Sequence, residues 1–266
     1  MYQRILVTFF LYYTHSSLIR MHFDPLIKVR QAKELETIPY EIYKVIVDRF
    51  HIVEMGIQRI ERASGLRYPY YYIDPTLIVA APTSFADFQY GQFGFLYAQT
   101  IPVVKRNNEI DIVVQITAPL VVYGLLGTIH AILAHEFMHY LELLSRIIKM
   151  EVVSDEISAS LFENKYLDSG RLIDARFVFR TDIVLRDHIT RKFPEGFKDT
   201  RLDEKTIKYW MNKGLPSISV SLDSNVTKIP VEAMANLNVD QDLKDKIFEF
   251  ERAAIQKMKN NKQHHK

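Results

Sequence analysis

The chain has 266 residues, of which 48% are hydrophobic and 25% are charged, and its formal net charge is +2. This composition is typical of one or two packed globular domains, and the nearly balanced charge gives no reason to expect a nucleic-acid or membrane partner. The absence of cysteine excludes a disulfide framework, thiolate-ligated zinc and thiol catalysis, and a cytoplasmic protein is the simpler expectation.

Two apolar stretches bear on membrane insertion. Residues 5–13 follow Arg4 and resemble a signal-peptide core, but no small-x-small cleavage site follows and the run is too short to span a bilayer. We interpret them as a strand, as a packed segment, or as sequence upstream of a true start at Met21. Residues 118–134 are nearly long enough to span, but no other segment offers the companion spans that a membrane-embedded site needs. A buried central helix is expected there.

The first long element is predicted between residues 38 and 65. Isoleucine and valine recur in this stretch at three- and four-residue steps, which indicates an amphipathic helix, and Gly65 is a suitable stop. The aromatic stretch 67–75 is bounded by proline and predicts a loop or a short edge strand, whose tyrosines we expect to pack in the core.

Strand-forming residues dominate the next part of the chain. Short β-prone segments lie at 76–81, 93–99 and 101–106. Asn107 and Asn108 tolerate left-handed turn conformations, and the alternating apolar residues of 109–116 follow them. This pattern predicts a hairpin that ends in a half-exposed strand.

The rest of the chain is predicted to be mainly helical. Pro119 and two nearby glycines end the last strand, and a helix is expected from there to about Ile148. A second helix is expected from about Met150 to Gly170. Beyond it, the patterns indicate one β-prone piece at 217–222 and an amphipathic helix at 240–259.

The most informative motif is His135-Glu136-Phe-Met-His139, on the helix predicted to end near Ile148. Residues four apart share a helix face, so the two imidazoles can bind one zinc ion. Glu136 then lies beside the metal, where it can accept a proton from a zinc-bound water. With nine histidines and sixteen glutamates in 266 residues, chance placement gives roughly 0.02 such patterns in the chain.

The competing interpretation is that both histidines belong to the core and that a local hydrogen bond satisfies each of them. The surrounding residues are mostly apolar, and burial of two imidazoles and a carboxylate without partners is costly. We therefore favour the metal site. A catalytic zinc site needs a third protein ligand.

Five acidic residues follow the motif within one helix length: Glu142, Glu151, Asp155, Glu156 and Glu163. Ser145 stands where a metzincin would have its third histidine, and Glu142 lies off the ligand face of its own helix. A helix that continues for about seven residues past His139, turns and returns brings position 156 back to the metal, on ordinary loop lengths. This favours Glu156, while Glu151 stays open.

These residues resemble the gluzincin family of zinc metallopeptidases, in which His-Glu-x-x-His on one helix is followed by a glutamate ligand on the next, commonly as Glu-x-x-Ala-Asp. Glu156, Ala159 and Ser160 match that second motif except for its final aspartate. The alternative frame, Glu151 with Asp155, keeps a Glu and an Asp four apart. The compact element order also resembles the minigluzincins, over about residues 37–170.

The resemblance implies an α+β, zincin-like fold: a small mixed or antiparallel sheet packed on the His-Glu-x-x-His helix, a glutamate helix after it, and a mainly helical C-terminal part. It implies an N-terminal extension at 1–36, a catalytic core at 37–170 and a helical region at 171–266. It also implies zinc on His135, His139 and Glu156, with Glu136 as general base. His188 and Tyr209 are candidates for oxyanion stabilisation by residue type alone, and the residues around His188 favour an exposed position on a helix. An extended peptide substrate is expected to pair with the strand at 109–116 as an added strand.

Three hypotheses follow. The first is a zinc-dependent peptidase with a peptide or protein substrate. The second is a regulatory or partner-binding protein of the same fold, whose C-terminal region covers a latent site. The third is a structural protein without metal. Basic residues between positions 180 and 201 alternate with acidic ones, so no nucleic-acid partner is expected.

Overall fold

The computed structural model describes residues 24–81, 94–105, 107, 109–149, 173–193, 197–221, 235, 237 and 239–263. Over these residues the protein is an α+β fold, as predicted, in which helices outweigh two small sheets. The apolar segment 5–13 and the helix predicted at 150–170 lie outside the described residues. Among the described helices, none combines the length and the apolar character needed to cross a membrane.

The described α-helices are α1 (Ile27–Glu34), α2 (Tyr40–Ser64), α3 (Ala118–Tyr123), α4 (Leu126–Ile148), α5 (Ala175–Val178), α6 (Ile183–Lys192), α7 (Thr200–Tyr209) and α8 (Gln241–Gln263). The described strands are β1 (Tyr70–Asp74), β2 (Leu77–Ala81), β3 (Gly94–Leu96), β4 (Ala98–Val104), β5 (Ile110–Thr117) and β6 (Ser217–Ser221).

Helix α2 confirms the amphipathic pattern predicted at 38–65. Ile46, Val53 and Ile60 are fully buried along its apolar face. The helix ends where the chain reaches Gly65, whose φ of 71° is a left-handed conformation that glycine adopts without a steric penalty. The apolar face of α2 packs on α3 and α4.

The first sheet has the strand order β1-β5-β4. The predicted hairpin is confirmed, because β4 and β5 run antiparallel and Val104 pairs with Ile110 across the turn. The aromatic stretch supplies β1, which pairs parallel with β5. Strand β5 is therefore central, and the expectation that residues 109–116 offer an edge to a peptide is wrong. Among the described strands of this sheet, β4 is an outer one.

The second sheet joins distant parts of the chain. Its order is β3-β2-β6, with β2 antiparallel to β3 and parallel to β6. The β-prone piece predicted at 217–222 is confirmed as β6. Trp210 anchors this connection, because its buried indole donates a hydrogen bond to the carbonyl oxygen of Pro216 at 2.9 Å.

Helix α4 occupies the centre of the molecule, as predicted for the apolar stretch before the motif. Most of its residues are buried on every side, by α2, α6, α8 and β4. The contact with α2 is close at Gly56, where an added Cβ would lie 2.7 Å from the His130 ring and 2.9 Å from Leu133. A residue without a side chain therefore allows the two helices to approach.

Helices from the C-terminal part fix α4 from two further directions. Asp182 caps the N-terminus of α6 by accepting from the backbone N–H of Leu185, and it also binds Arg59 of α2. Glu251 of α8 accepts hydrogen bonds from Ser145 and Lys149 at the end of α4. Asp182 thus joins α6 to α2, and α8 holds the C-terminal end of α4.

Candidate metal centre

The three residues of the motif lie together in the interior. His135, Glu136 and His139 are 3%, 3% and 2% exposed. One ligand atom from each residue lies within 4.8 Å of the ligand atoms of the other two. The four-residue spacing on α4 brings the imidazoles together, as expected for residues one turn apart on a helix.

The geometry of the two imidazoles fits a shared metal ion. Nε2 of His135 lies 3.0 Å from Nε2 of His139, and the two ring planes are nearly perpendicular, at 89°. Two nitrogens bound to one tetrahedral zinc at about 2.0–2.1 Å lie roughly 3.3 Å apart. A few tenths of an ångström separate the observed distance from that value, so small side-chain movements would suffice for both nitrogens to bind one ion.

Glu136 is held by the neighbouring sheet. The Thr100 hydroxyl of β4 lies 2.9 Å from Oε2 of Glu136 and 3.0 Å from the main-chain oxygen of the same residue. Both are hydrogen-bond distances for a hydroxyl donor. Strand β4 therefore runs beside the motif, and one oxygen of the Glu136 carboxylate has a fixed neighbour. No sequence pattern identified Thr100, because the contact depends on how the sheet packs on α4.

An aromatic side chain from the C-terminal part covers one imidazole of the motif. The Phe193 ring, which follows α6, stacks on the His135 imidazole with centroids 3.7 Å apart and planes within 8° of parallel. Phe193 is itself buried and also contacts Phe197, which packs against Tyr97 at the start of β4. This contact fixes the plane of the His135 ring, and sequence patterns did not identify it.

The opposite side of α4 is packed by the aromatic stretch. The Tyr68 hydroxyl donates to the carbonyl oxygen of Leu133 at 2.9 Å, and its ring stacks on Phe137. Burial and then the negative charge of Glu136 raise the pKa of Tyr68 well above its ordinary value. Tyr68 is therefore a neutral packing residue, as expected for the tyrosines of this stretch.

A further buried carboxylate, that of Glu142, lies beside the imidazole of His139. Glu142 follows His139 by three residues on α4 and is 4% exposed. Its Oε2 lies 3.9 Å from Nδ1 of His139, on the side of the ring away from His135. The sequence placed Glu142 off the face that would bind an ion, and in the structure Glu142 lies next to Nδ1 of His139 and outside the cluster formed by the motif.

The two candidates for oxyanion stabilisation lie elsewhere. His188 is on a helix, α6, as predicted, but it is partly buried rather than exposed and contacts the start of α4, where a Cβ on Gly127 would lie 2.9 Å from its ring. Gly127 precedes His135 by eight residues, or about 12 Å along a helix axis. The Tyr209 ring packs beside Tyr123 of α3 with centroids 6.2 Å apart. The structure brings neither residue to the motif.

The proposed third ligand, Glu156, and its alternative, Glu151, lie outside the described residues, as do Ala159 and Ser160. The structure does define where the preceding helix stops. Helix α4 continues to Ile148, which confirms the end predicted for it.

Comparisons with protein-family models, with curated proteins and with solved structures found no match to this chain.

Proposed function

We propose that this protein is a zinc-dependent metallopeptidase. The observation that supports this most directly is the 3.0 Å approach of the two Nε2 atoms of His135 and His139, with the Glu136 carboxylate in the same buried cluster. Zinc is the metal that best suits two imidazoles and a carboxylate in a tetrahedral site. The α+β architecture, with a sheet packed on the histidine-bearing helix, agrees with a zincin-like core.

Glu156 is the third ligand in this proposal. Helix α4 ends at Ile148, nine residues or about 13 Å beyond His139. Glu151 follows that end by three residues, and three extended residues span at most about 11 Å. Glu156 has five more residues than Glu151 in which to return to the level of His139, which favours Glu156 as the ligand and keeps Glu151 as the alternative.

Zinc, when bound, would polarise a substrate carbonyl and lower the pKa of a coordinated water towards neutrality. Glu136 would hold that water, accept its proton and deliver the proton to the leaving amine. Thr100 would keep one carboxylate oxygen in place, so that the other is available for the proton. Phe193 would hold the His135 ring in its orientation and exclude water from one side of the site.

An extended peptide is the substrate that suits the adjoining sheet. Strand β4 is an outer strand among those described, and its Thr100 contacts the proposed general base. A peptide that paired with β4 would form main-chain hydrogen bonds and bring one of its peptide groups next to the metal. The edge offered is thus that of β4 rather than β5.

A regulatory role is the second candidate, and the position of Phe193 favours it. This residue belongs to the C-terminal part and lies directly on a proposed ligand ring. A region that contacts the site so closely would limit access to it, and it suits an enzyme with one protein target or a latent site.

Substitution of the proposed general base tests the function. Glu136→Gln should bind one zinc per chain, as the wild type does, and should lose about 10²–10⁴-fold in the hydrolysis of unfolded casein or a quenched peptide library, because an amide cannot accept the proton. Exposed Glu54 of α2 offers a matched control, since Glu54→Gln should leave both properties unchanged. Zinc-loaded wild type that cleaves none of these substrates would favour the regulatory candidate, and equal hydrolysis by Glu136→Gln would rule out Glu136 as the base.

A further inference from the structure

Glu142 is a buried carboxylate with a position that the proposed reaction does not use. It is 4% exposed and lies on α4, where the residues before and after it, Leu141 and Leu143, are fully buried. A carboxylate buried in apolar surroundings is costly unless a hydrogen bond or an opposite charge compensates it. The neighbour of Glu142 across the helix surface therefore matters.

That neighbour is a proposed zinc ligand. Residues three apart on a helix are adjacent, and Oε2 of Glu142 lies 3.9 Å from Nδ1 of His139. The other nitrogen of the same ring, Nε2, faces His135. The His139 imidazole thus has its partner ligand on one side and a buried carboxylate on the other.

This arrangement suits the requirements of a metal-bound histidine. A ring that coordinates through the Nε2 lone pair carries its hydrogen on Nδ1, and an acceptor at Nδ1 fixes both the tautomer and the ring orientation. The observed distance of 3.9 Å between Oε2 of Glu142 and Nδ1 of His139 is within the range of an ion pair but is longer than a hydrogen bond. The terminal torsion of a glutamate is soft, so a small rotation would shorten the contact to a hydrogen bond.

We propose that Glu142 is a positioning residue for the metal centre: it accepts a hydrogen bond from Nδ1 of His139 and so holds Nε2 towards the ion. This inference rests on the zinc site of the proposed function. It assigns to Glu142 an effect on metal affinity that a residue serving only to pack α4 would lack.

The test is zinc affinity, measured by competition with a chromophoric chelator. Glu142→Gln keeps the size of the side chain but removes the charge, and it should weaken zinc binding by about 10–100-fold, the usual effect of losing such a partner. In the cobalt-substituted protein, the visible absorption spectrum of Glu142→Gln should differ from that of the wild type, because the ring orientation is relaxed.

Glu251→Gln is the matched control. Glu251 is also an acidic residue, is 6% exposed and is hydrogen-bonded to α4, but through Ser145 rather than through a ligand. Glu251→Gln should lower the free energy of unfolding while leaving zinc affinity and the cobalt spectrum unchanged. Loss of affinity in both variants to the same degree would mean that Glu142 acts only through the stability of the helix.

Two other outcomes separate the two proposals. A wild type that does not retain zinc contradicts the proposed function itself. A wild type that binds zinc, beside a Glu142→Gln variant of equal affinity, overturns only the role of Glu142. If Glu142→Gln does not fold, the imidazole NMR signals of the zinc-loaded wild type decide: the Nδ1 proton of His139 should exchange slowly and resonate downfield, and rapid exchange would overturn the inference.

Discussion

Helix α4 carries three buried histidines, and two of them differ from the third in one respect. His130, His135 and His139 are 4%, 3% and 2% exposed, so burial does not distinguish them. What differs is the group that each ring nitrogen faces. The comparison shows that the partner of a buried histidine, rather than its burial, separates a structural residue from a candidate ligand.

His130 has the partners of a core residue. Its Nε2 lies 3.2 Å from the carbonyl oxygen of Ile52, and its Nδ1 lies 3.5 Å from the guanidinium of Arg59. Arg59 in turn forms a pair of hydrogen bonds to Asp182, which keeps the pKa of that carboxyl below its usual value. In contrast, Nε2 of His135 and Nε2 of His139 face each other. The 3.0 Å separation of these two nitrogens fits a shared ion and also a hydrogen bond from one ring to the other, and zinc content distinguishes the two interpretations.

The largest effect should come from replacing one histidine of the motif, with the same replacement at His130 as the control. His139→Gln should weaken zinc binding by more than about 100-fold, because it removes a proposed ligand. Loss of a residue that only hydrogen-bonds to a ligand usually costs about 10–100-fold. His130→Gln should leave zinc binding within about threefold of the wild type, because its partners are protein groups. Metal analysis after dialysis, followed by chelator competition, measures both. Equal losses in the two variants would mean that α4 as a whole, and not the pair, determines metal binding.

A smaller effect should identify the third ligand and so complete the site around the pair. Glu156→Gln should weaken zinc binding by more than about tenfold, whereas Glu151→Gln should change it little. The same chelator competition provides the values, and each variant is the control for the other because both exchange one charge for an amide. The opposite order of effects would assign the third ligand to Glu151 rather than Glu156.

The smallest effect should be the pH dependence that His130 contributes. Burial, more than any other cause, lowers the pKa of His130 from its ordinary value of 6.5. As the pH falls below about 6.5, the unfolded chain takes up a proton that the folded chain excludes. The contribution of His130 to stability is therefore fully present above that pH and is lost as the pH falls through the folded pKa.

Denaturant unfolding between pH 5 and 7.5 measures this contribution, as a slope of at most about 1.4 kcal/mol per pH unit. His130→Gln should reduce the slope of the wild type. His51→Gln, which changes an exposed histidine of α2, should retain it. A slope that is unchanged in His130→Gln would show that other groups cause the acid sensitivity.

Much of the architecture was predictable because it is encoded over short distances in the chain. The three- and four-residue repeat in 38–65, the asparagine turn between β4 and β5, and the β-prone piece at 217–222 each appear where the patterns placed them. Local periodicity and turn chemistry determine such elements, since neighbouring residues alone decide which side of a helix or strand is apolar.

The arrangement around the motif was less predictable. Residues 109–116 were expected to offer a strand edge to a peptide, but they form β5, which pairs with β1 on one side and β4 on the other. The sequence offered His188 and Tyr209 to the site by residue type, and both lie against other elements. Thr100 and Phe193, which do contact the motif, had no distinguishing pattern.

The sequence by itself determined that two histidines and a glutamate share one stretch of a buried helix, because a four-residue spacing on a regular helix leaves no other arrangement. Only the tertiary structure decided what each ring nitrogen and carboxylate faces. Thr100 reaches Glu136 across 36 positions of the chain, and Ile52 reaches His130 across 78. Those contacts depend on how distant segments pack together, which the period of an isolated helix does not encode.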